Sequence, residues 1–139
     1  MRTTIYKITF NDDSQFYSNS RDDSIDAINK YHKDDDDWKP WNINTINGII
    51  YGNNKKSRGI KSVDRYMVKE YYGDYLERYT NDLLEEAQRK NKTYSDHSVK
   101  RFQNTFLAFI NDLELRARNS GASDEVIHER ILQCGLFTQ

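Results

Sequence analysis

From Val63 onward the apolar residues recur in four-residue steps, through Met67, Tyr71, Tyr75, Tyr79, Leu83 and Ala87, whereas the first ten residues alternate. That change of period constrains the fold more than any other feature. In Thr3–Phe10, Tyr6, Ile8 and Phe10 share one face and Ile5, Lys7 and Thr9 the other, the period of a strand. Four-residue steps belong to a helix face. Strands first and helices afterwards point to an α+β fold. Asn11-Asp12-Asp13 reads as a turn, and Gln15–Ser18 as a strand pairing back on the first. Ser20 followed by Asp23 resembles a capping box that opens a short helix. This helix runs to about His32 and buries Ile25, Ala27, Ile28 and Tyr31. Asp34–Asp37 and Pro40 stop it. Asn47-Gly48, between Trp41–Ile46 and Ile49–Tyr51, predicts a second hairpin, because a type I′ turn needs positive φ at both central positions.

The expected architecture is α+β; a small N-terminal ββαββ antiparallel sheet unit is followed by a three-helix C-terminal half. Ser62 is the predicted N-cap of the first of these helices, with a bend near Gly73. A second starts near Ser95, buries Val99, Phe102, Phe106, Phe109, Ile110, Leu113 and Ala117, and stops at Gly121. A third starts at Ser123, carries Val126, Ile127, Ile131 and Leu132, and is closed by Gly135. Residues 1–139 are read as one domain, with a sheet part at 1–52, a basic connector at 53–61 and a helical part at 62–139. The chain is polar, with 31% charged residues and a mean hydropathy of -0.98. Aromatics, at 13%, supply the core that such a composition otherwise lacks.

The net charge of -1 produces no global field for nucleic acid or membrane. Its distribution is uneven. Residues 1–52 carry 6 basic and 9 acidic side chains, whereas residues 53–69 carry 6 basic and 1 acidic. The single cysteine, Cys134, permits no intramolecular disulfide. Met1–Phe10 alternates and is not the apolar run of a signal peptide. No segment approaches 18 consecutive apolar residues, so no membrane association is expected. The expected location is the cytoplasm.

Catalytic patterns are missing. His32, His97 and His128 lie far apart, with no pair at metal-ligand spacing. Asp96, beside His97, opens a helix and reads as a cap. Cys134 lies near a helix C-terminus, which disfavours a thiolate. Gly52–Ser57 lacks the second glycine of a phosphate-binding loop. No enzyme activity, cofactor or metal is expected. Asp34–Asp37 in particular lacks the alternating ligands and turn glycine of a calcium loop.

Two segments suggest binding. Asp34, Asp35, Asp36 and Asp37 precede Trp38 and Trp41, an acidic, tryptophan-bearing stretch suited to docking a basic protein surface. In the plainer reading Trp41 packs inward and the aspartates are a solvated turn. Asp12, Asp13, Asp22, Asp23 and Asp26 would add to an acidic face if all lay together. The alternative site is basic. Lys55, Lys56, Arg58, Lys61, Arg65 and Lys69, with Tyr66 among them, could track a nucleic-acid backbone. Tyr66, Tyr71, Tyr72, Tyr75 and Tyr79 cannot all face one core, so a homodimer through the Tyr-rich helix 62–90 is a further expectation.

In general style the chain resembles small accessory proteins of bacteriophages and mobile elements. It is short, rich in Asn, Asp, Lys and Tyr, and has one Pro and one Cys. The resemblance implies a viral-type inhibitor that binds a host enzyme or defence complex in the host cytoplasm. The leading expectation is therefore a non-enzymatic binding protein that modulates or inhibits a larger protein, such as a nucleic-acid-handling or defence protein. The alternative is a nucleic-acid-binding domain using residues 55–69.

Overall fold

The computed structural model describes residues 3–52 and 59–133. The chain forms two compact units, Thr4–Tyr66 and Met67–Gln139 with Met1–Thr3. In the first, β1 (Thr4–Phe10), β2 (Gln15–Ser18) and β3 (Ile60–Met67) form an antiparallel sheet in the order β2-β1-β3, with α1 (Arg21–Tyr31) and α2 (Ile43–Ile50) between β2 and β3. The α+β class is as expected, with an N-terminal sheet and helices after it.

The first hairpin follows the alternation. Tyr6 faces Ser18, Ile8 faces Phe16 and Thr9 faces Gln15. Its turn is closed by Phe10 N–H donating to the Ser14 carbonyl at 2.9 Å. Asp13 adopts φ 70° there, a left-handed conformation that Asp tolerates better than most residues. The Ser20 hydroxyl accepts from Asp23 N–H at 3.0 Å and starts α1 as read. Ile8, Phe10, Ile25, Ile28, Trp41, Ile46 and Ile60 form the buried core of this unit.

Two local expectations are overturned. Residues 43–50 are helical, so no strands flank Asn47-Gly48. A capping box decides this: Thr45 N–H donates to Asn42 Oδ1 at 3.1 Å, and Asn42 N–H donates to Thr45 Oγ1 at 3.3 Å. Ile43, Ile46 and Ile50 then fall at helical spacing, and Ile46 is fully buried. The sheet's remaining strand comes instead from Ile60–Met67, at the end of the expected basic connector. Ser62 is a strand residue and caps no helix.

The second unit holds α3 (Val68–Tyr71), α4 (Gly73–Arg89), α5 (Asp96–Asn119) and α6 (Asp124–Leu132). The expected bend near Gly73 is a break at Tyr72, where α3 ends and α4 begins. Tyr79, Leu83 and Ala87 are buried as expected, with Tyr79 stacked on Phe106 at 4.2 Å. Ser95, not Asp96, caps α5, its hydroxyl accepting from Ser98 N–H. Phe102, expected inside, is exposed. Gly121, at φ 82°, closes α5 with Ala122 N–H donating to the Ala117 carbonyl at 2.9 Å. Ser123 caps α6, and Gly135 lies outside the described residues.

A buried polar network, absent from the periodicity, ties three of these helices. Tyr72 donates to the Glu114 carboxylate, which is fully buried. Arg118 Nε donates to the same carboxylate at 3.0 Å, and its Nη1 donates to Asp124. Burial, with the bond to and charge of Glu114, holds the Tyr72 hydroxyl far above the ordinary phenol value. Burial opposes the Arg118 charge. The bonds to Asp124 and Tyr72 and the Glu114 charge outweigh it, so the guanidinium stays protonated beyond its usual range. The folded state therefore keeps the Tyr72 proton longer than the unfolded chain does. Its contribution to stability is complete below the ordinary tyrosine pKa of about 10 and is lost as pH rises above that. In Tyr72→Phe the fall in unfolding midpoint above about pH 10 should be shallower than in the wild type, read by circular dichroism. An unchanged alkaline slope would remove Tyr72 from this role.

Candidate functional site

The C-terminal end of α1 organises the acidic segment. Asn29, in its last turn, brackets the tryptophans: its Oδ1 accepts from Trp38 Nε1 at 3.1 Å and from Trp41 N–H at 2.8 Å, and its Nδ2 donates to the Trp41 carbonyl at 3.2 Å. His32 caps the helix. Its ring lies flat on the Trp38 indole, 3.9 Å between centroids, with Nδ1 at 2.6 Å from Asp35 Oδ2 and Nε2 at 2.6 Å from the Gly59 carbonyl. Whichever ring nitrogen carries a hydrogen finds an acceptor in place.

Gly59 completes the brace. Its φ is 77°, and a Cβ there would lie 2.5 Å from the Trp38 ring. Only glycine combines that backbone conformation with so close an approach. The turn between helix and tryptophan is thus held by backbone bonds from Asp35 N–H to the His32 carbonyl and from Trp38 N–H to the Asp35 carbonyl.

Trp41 is buried in the core, as the plainer reading held, and Trp38 is half-buried against the same core. The four aspartates are all exposed. They differ in role. Asp35 fastens His32, whereas Asp34, Asp36 and Asp37 have no ion-pair partner among the described residues. With His32, Trp38 and Gly59 they line an open hollow of about 640 Å³.

Tyr31 joins a second acidic turn to this one. Its ring stacks on Phe10 at 4.2 Å and meets His32 edge-on at 4.8 Å. Partial burial, then the charge of Asp12, and more weakly that of Asp35, raise its phenol above the ordinary value. The Asp12 carboxylate accepts from the Ser14 hydroxyl and N–H, and these bonds hold it below the usual range. Asp22 and Asp23 sit in the first turn of α1, about 12 Å further along an 11-residue helix. The N-terminal aspartates are thus spread along α1, with Asp26 in its middle, and do not all lie at one end.

No protein-family model, curated protein or solved structure matches the chain.

The described members of the expected basic site fall in two elements, β3 and α3. Lys55, Lys56 and Arg58 lie outside the described residues. Lys61 pairs with Asp13. Arg65 lies over the Tyr51 ring at 5.3 Å. Tyr66 follows it on the alternate strand face, half-buried, and Lys69 belongs to α3 in the other unit. In the tyrosine series Tyr72 and Tyr79 are buried, Tyr75 is half-buried and Tyr71 is 56% exposed.

Sequence reasoning missed Asn29, His32 and Gly59, the residues that fix the turn. For Gly59 the one signal available was a glycine ahead of an alternating segment. His128 faces Tyr75 at 5.5 Å, and His97 is exposed in the first turn of α5. Among the described residues no three His, Cys, Asp or Glu side chains are grouped to hold a metal. None of the described helices is long and apolar enough to cross a membrane.

Proposed function

We propose that the chain is a non-enzymatic binding protein whose acidic, aromatic surface at the end of α1 docks a basic region of a larger protein and modulates it. One observation carries the reading. Asp34, Asp36 and Asp37 are exposed and have no ion-pair partner among the described residues, yet they sit on a turn fixed by Asn29, His32, Trp38 and Gly59. Adjacent carboxylates repel one another, and the fold gains nothing from holding three of them together. A preformed acidic surface lowers the ordering cost of binding and speeds encounter with a cationic partner. Tyr31, 40% exposed and edge-on to His32, adds an aromatic edge beside the charge. The bacteriophage-accessory style of the sequence agrees with an inhibitor of a host protein.

Two measurements test this on Asp34→Asn/Asp36→Asn/Asp37→Asn, which leaves Asp35 in place. Thermal stability should be unchanged or higher by up to about 1 kcal/mol, because the change only relieves surface repulsion. Affinity purification from the native host should recover a salt-sensitive protein complex with the wild type and lose it with the triple variant. The reading fails if the wild type recovers no protein, or if the triple variant recovers the same complex equally well.

A further inference from the structure

Unit Thr4–Tyr66 carries a second cluster that the acidic surface does not use. Arg21, the first residue of α1, is half-buried. Its Nη1 donates to Asn47 Oδ1 at 2.6 Å and its Nη2 to the Tyr51 hydroxyl at 2.9 Å. The guanidinium lies 5.9 Å from the Tyr6 ring centre and 5.5 Å from that of Tyr51. From β3, Arg65 reaches the same Tyr51 ring at 5.3 Å. Two guanidinium groups therefore converge on one exposed tyrosine.

A structural brace would ordinarily pair such cations with a carboxylate. Neither Arg21 nor Arg65 has an ion-pair partner among the described residues. Asp64, next to Arg65 on the strand, accepts from Ser62 at 3.5 Å. The position opposite both cations is taken by a neutral phenol. Hydrogen bonding from Arg21 and then Arg65 draws that phenol below its ordinary value. Arg21 Nε is buried with no acceptor among the described residues, so a donor goes unmet where this guanidinium is held in place.

We propose that Arg21, Arg65 and Tyr51 form a binding site for a phosphate group, the two guanidinium groups donating to its oxygens and the Tyr51 hydroxyl donating to a third. The chemistry follows from inventory. Arginine offers five donors in a planar fork and Arg21 spends two, while a tyrosine oxygen that accepts from arginine still has its own hydrogen to give. Phosphate is the common anion that takes several charge-assisted bonds at once. With both guanidinium groups within 5.5 Å of its ring centre, the Tyr51 ring serves the cations; the site grips a phosphate rather than stacking a base. The phosphate can belong to a free nucleotide or to a nucleic-acid backbone, and the test separates these.

The buried Arg21 Nε–H should exchange slowly with water and give its own NMR signal. Inorganic phosphate, adenosine monophosphate and a 12-nucleotide single-stranded DNA are titrated at constant ionic strength, with chloride as control. A saturable shift of the Arg21 Nε–H and Tyr51 ring signals is expected with phosphate and absent with chloride. Arg65→Gln should weaken binding about tenfold or more, the usual effect of losing a charged hydrogen bond. Tyr51→Phe, which keeps both cations, should weaken it less. Tryptophan emission confirms that each variant is folded, since Trp38 and Trp41 lie in this unit. Equal affinity for monophosphate and oligonucleotide assigns the site to free phosphate esters; tighter, salt-dependent oligonucleotide binding assigns it to the backbone. The proposal is overturned if phosphate gives no saturable shift, if chloride reproduces it, or if folded Arg65→Gln binds as the wild type does. These outcomes are independent of the Asp34–Asp37 surface.

Discussion

Glu114→Ala is expected to destabilise the helical unit by about 3–5 kcal/mol, the cost of stripping the partner from a buried charge. Glu114 is fully buried on α5, and one carboxylate serves both Tyr72 and Arg118. Without it, the Arg118 side chain, only 14% exposed, keeps Asp124 as its one carboxylate partner among the described residues. The Tyr72 hydroxyl, at a side chain 1% exposed, loses its acceptor. Urea unfolding followed by far-ultraviolet circular dichroism measures the loss. Glu114→Leu combined with Arg118→Met and Tyr72→Phe should recover most of it, because replacing a whole buried polar set by apolar side chains is often near neutral. A single-variant loss under about 1 kcal/mol would mean that water reaches the network and that it does not hold the helices.

Gly59→Ala is expected to cost about 2–5 kcal/mol and to disorganise the acidic turn. Two penalties add. A side chain at φ 77° costs about 1–2 kcal/mol. The new methyl would sit 2.5 Å from the Trp38 ring and 2.6 Å from His32 Nε2, and overpacking of that kind costs about 1–3 kcal/mol. Neither ring can step aside cheaply, since each is stacked on the other and hydrogen-bonded. Gly52→Ala is the control. At Gly52, with φ 73°, an added Cβ meets no described atom within 4 Å, so the backbone penalty is the one expected there. Both tryptophans lie in the sheet unit, so their emission reports its unfolding. Gly59→Ala should lower the midpoint well beyond Gly52→Ala and shift Trp38 emission to the red. Equal effects at the two glycines would show that Gly59 matters only for its backbone.

The chain by itself determined the elements whose information is local. Alternation fixed β1 and its pairing with β2, and hydroxyl caps at Ser20, Ser95 and Ser123 fixed three helix starts. Gly121 fixed a helix end. It also made the exposure of Asp34–Asp37 and the burial of Trp41 legible, because charge and indole area settle those outcomes almost anywhere in a fold. Where two local signals competed, tertiary structure chose. Asn47-Gly48 favours a turn, but the Asn42–Thr45 capping box and the burial of Ile46 against the sheet made residues 43–50 a helix. The four-residue step from Val63 to Met67 suits both a helix face and, being a multiple of two, one face of a strand. Pairing in the sheet, which no spacing within the segment encodes, made it β3. The α+β class survives both changes, since each swaps an element inside the N-terminal unit. The candidate sites depended on tertiary structure most of all. His32 meets Gly59 across 27 positions, and Arg21 meets Asn47 across 26. A polar side chain on a helix carries no local mark of the distant carbonyl or amide that will satisfy it. Only the folded chain, by bringing those partners within hydrogen-bond reach, turns an acidic run into a braced surface and two scattered arginines into a cluster.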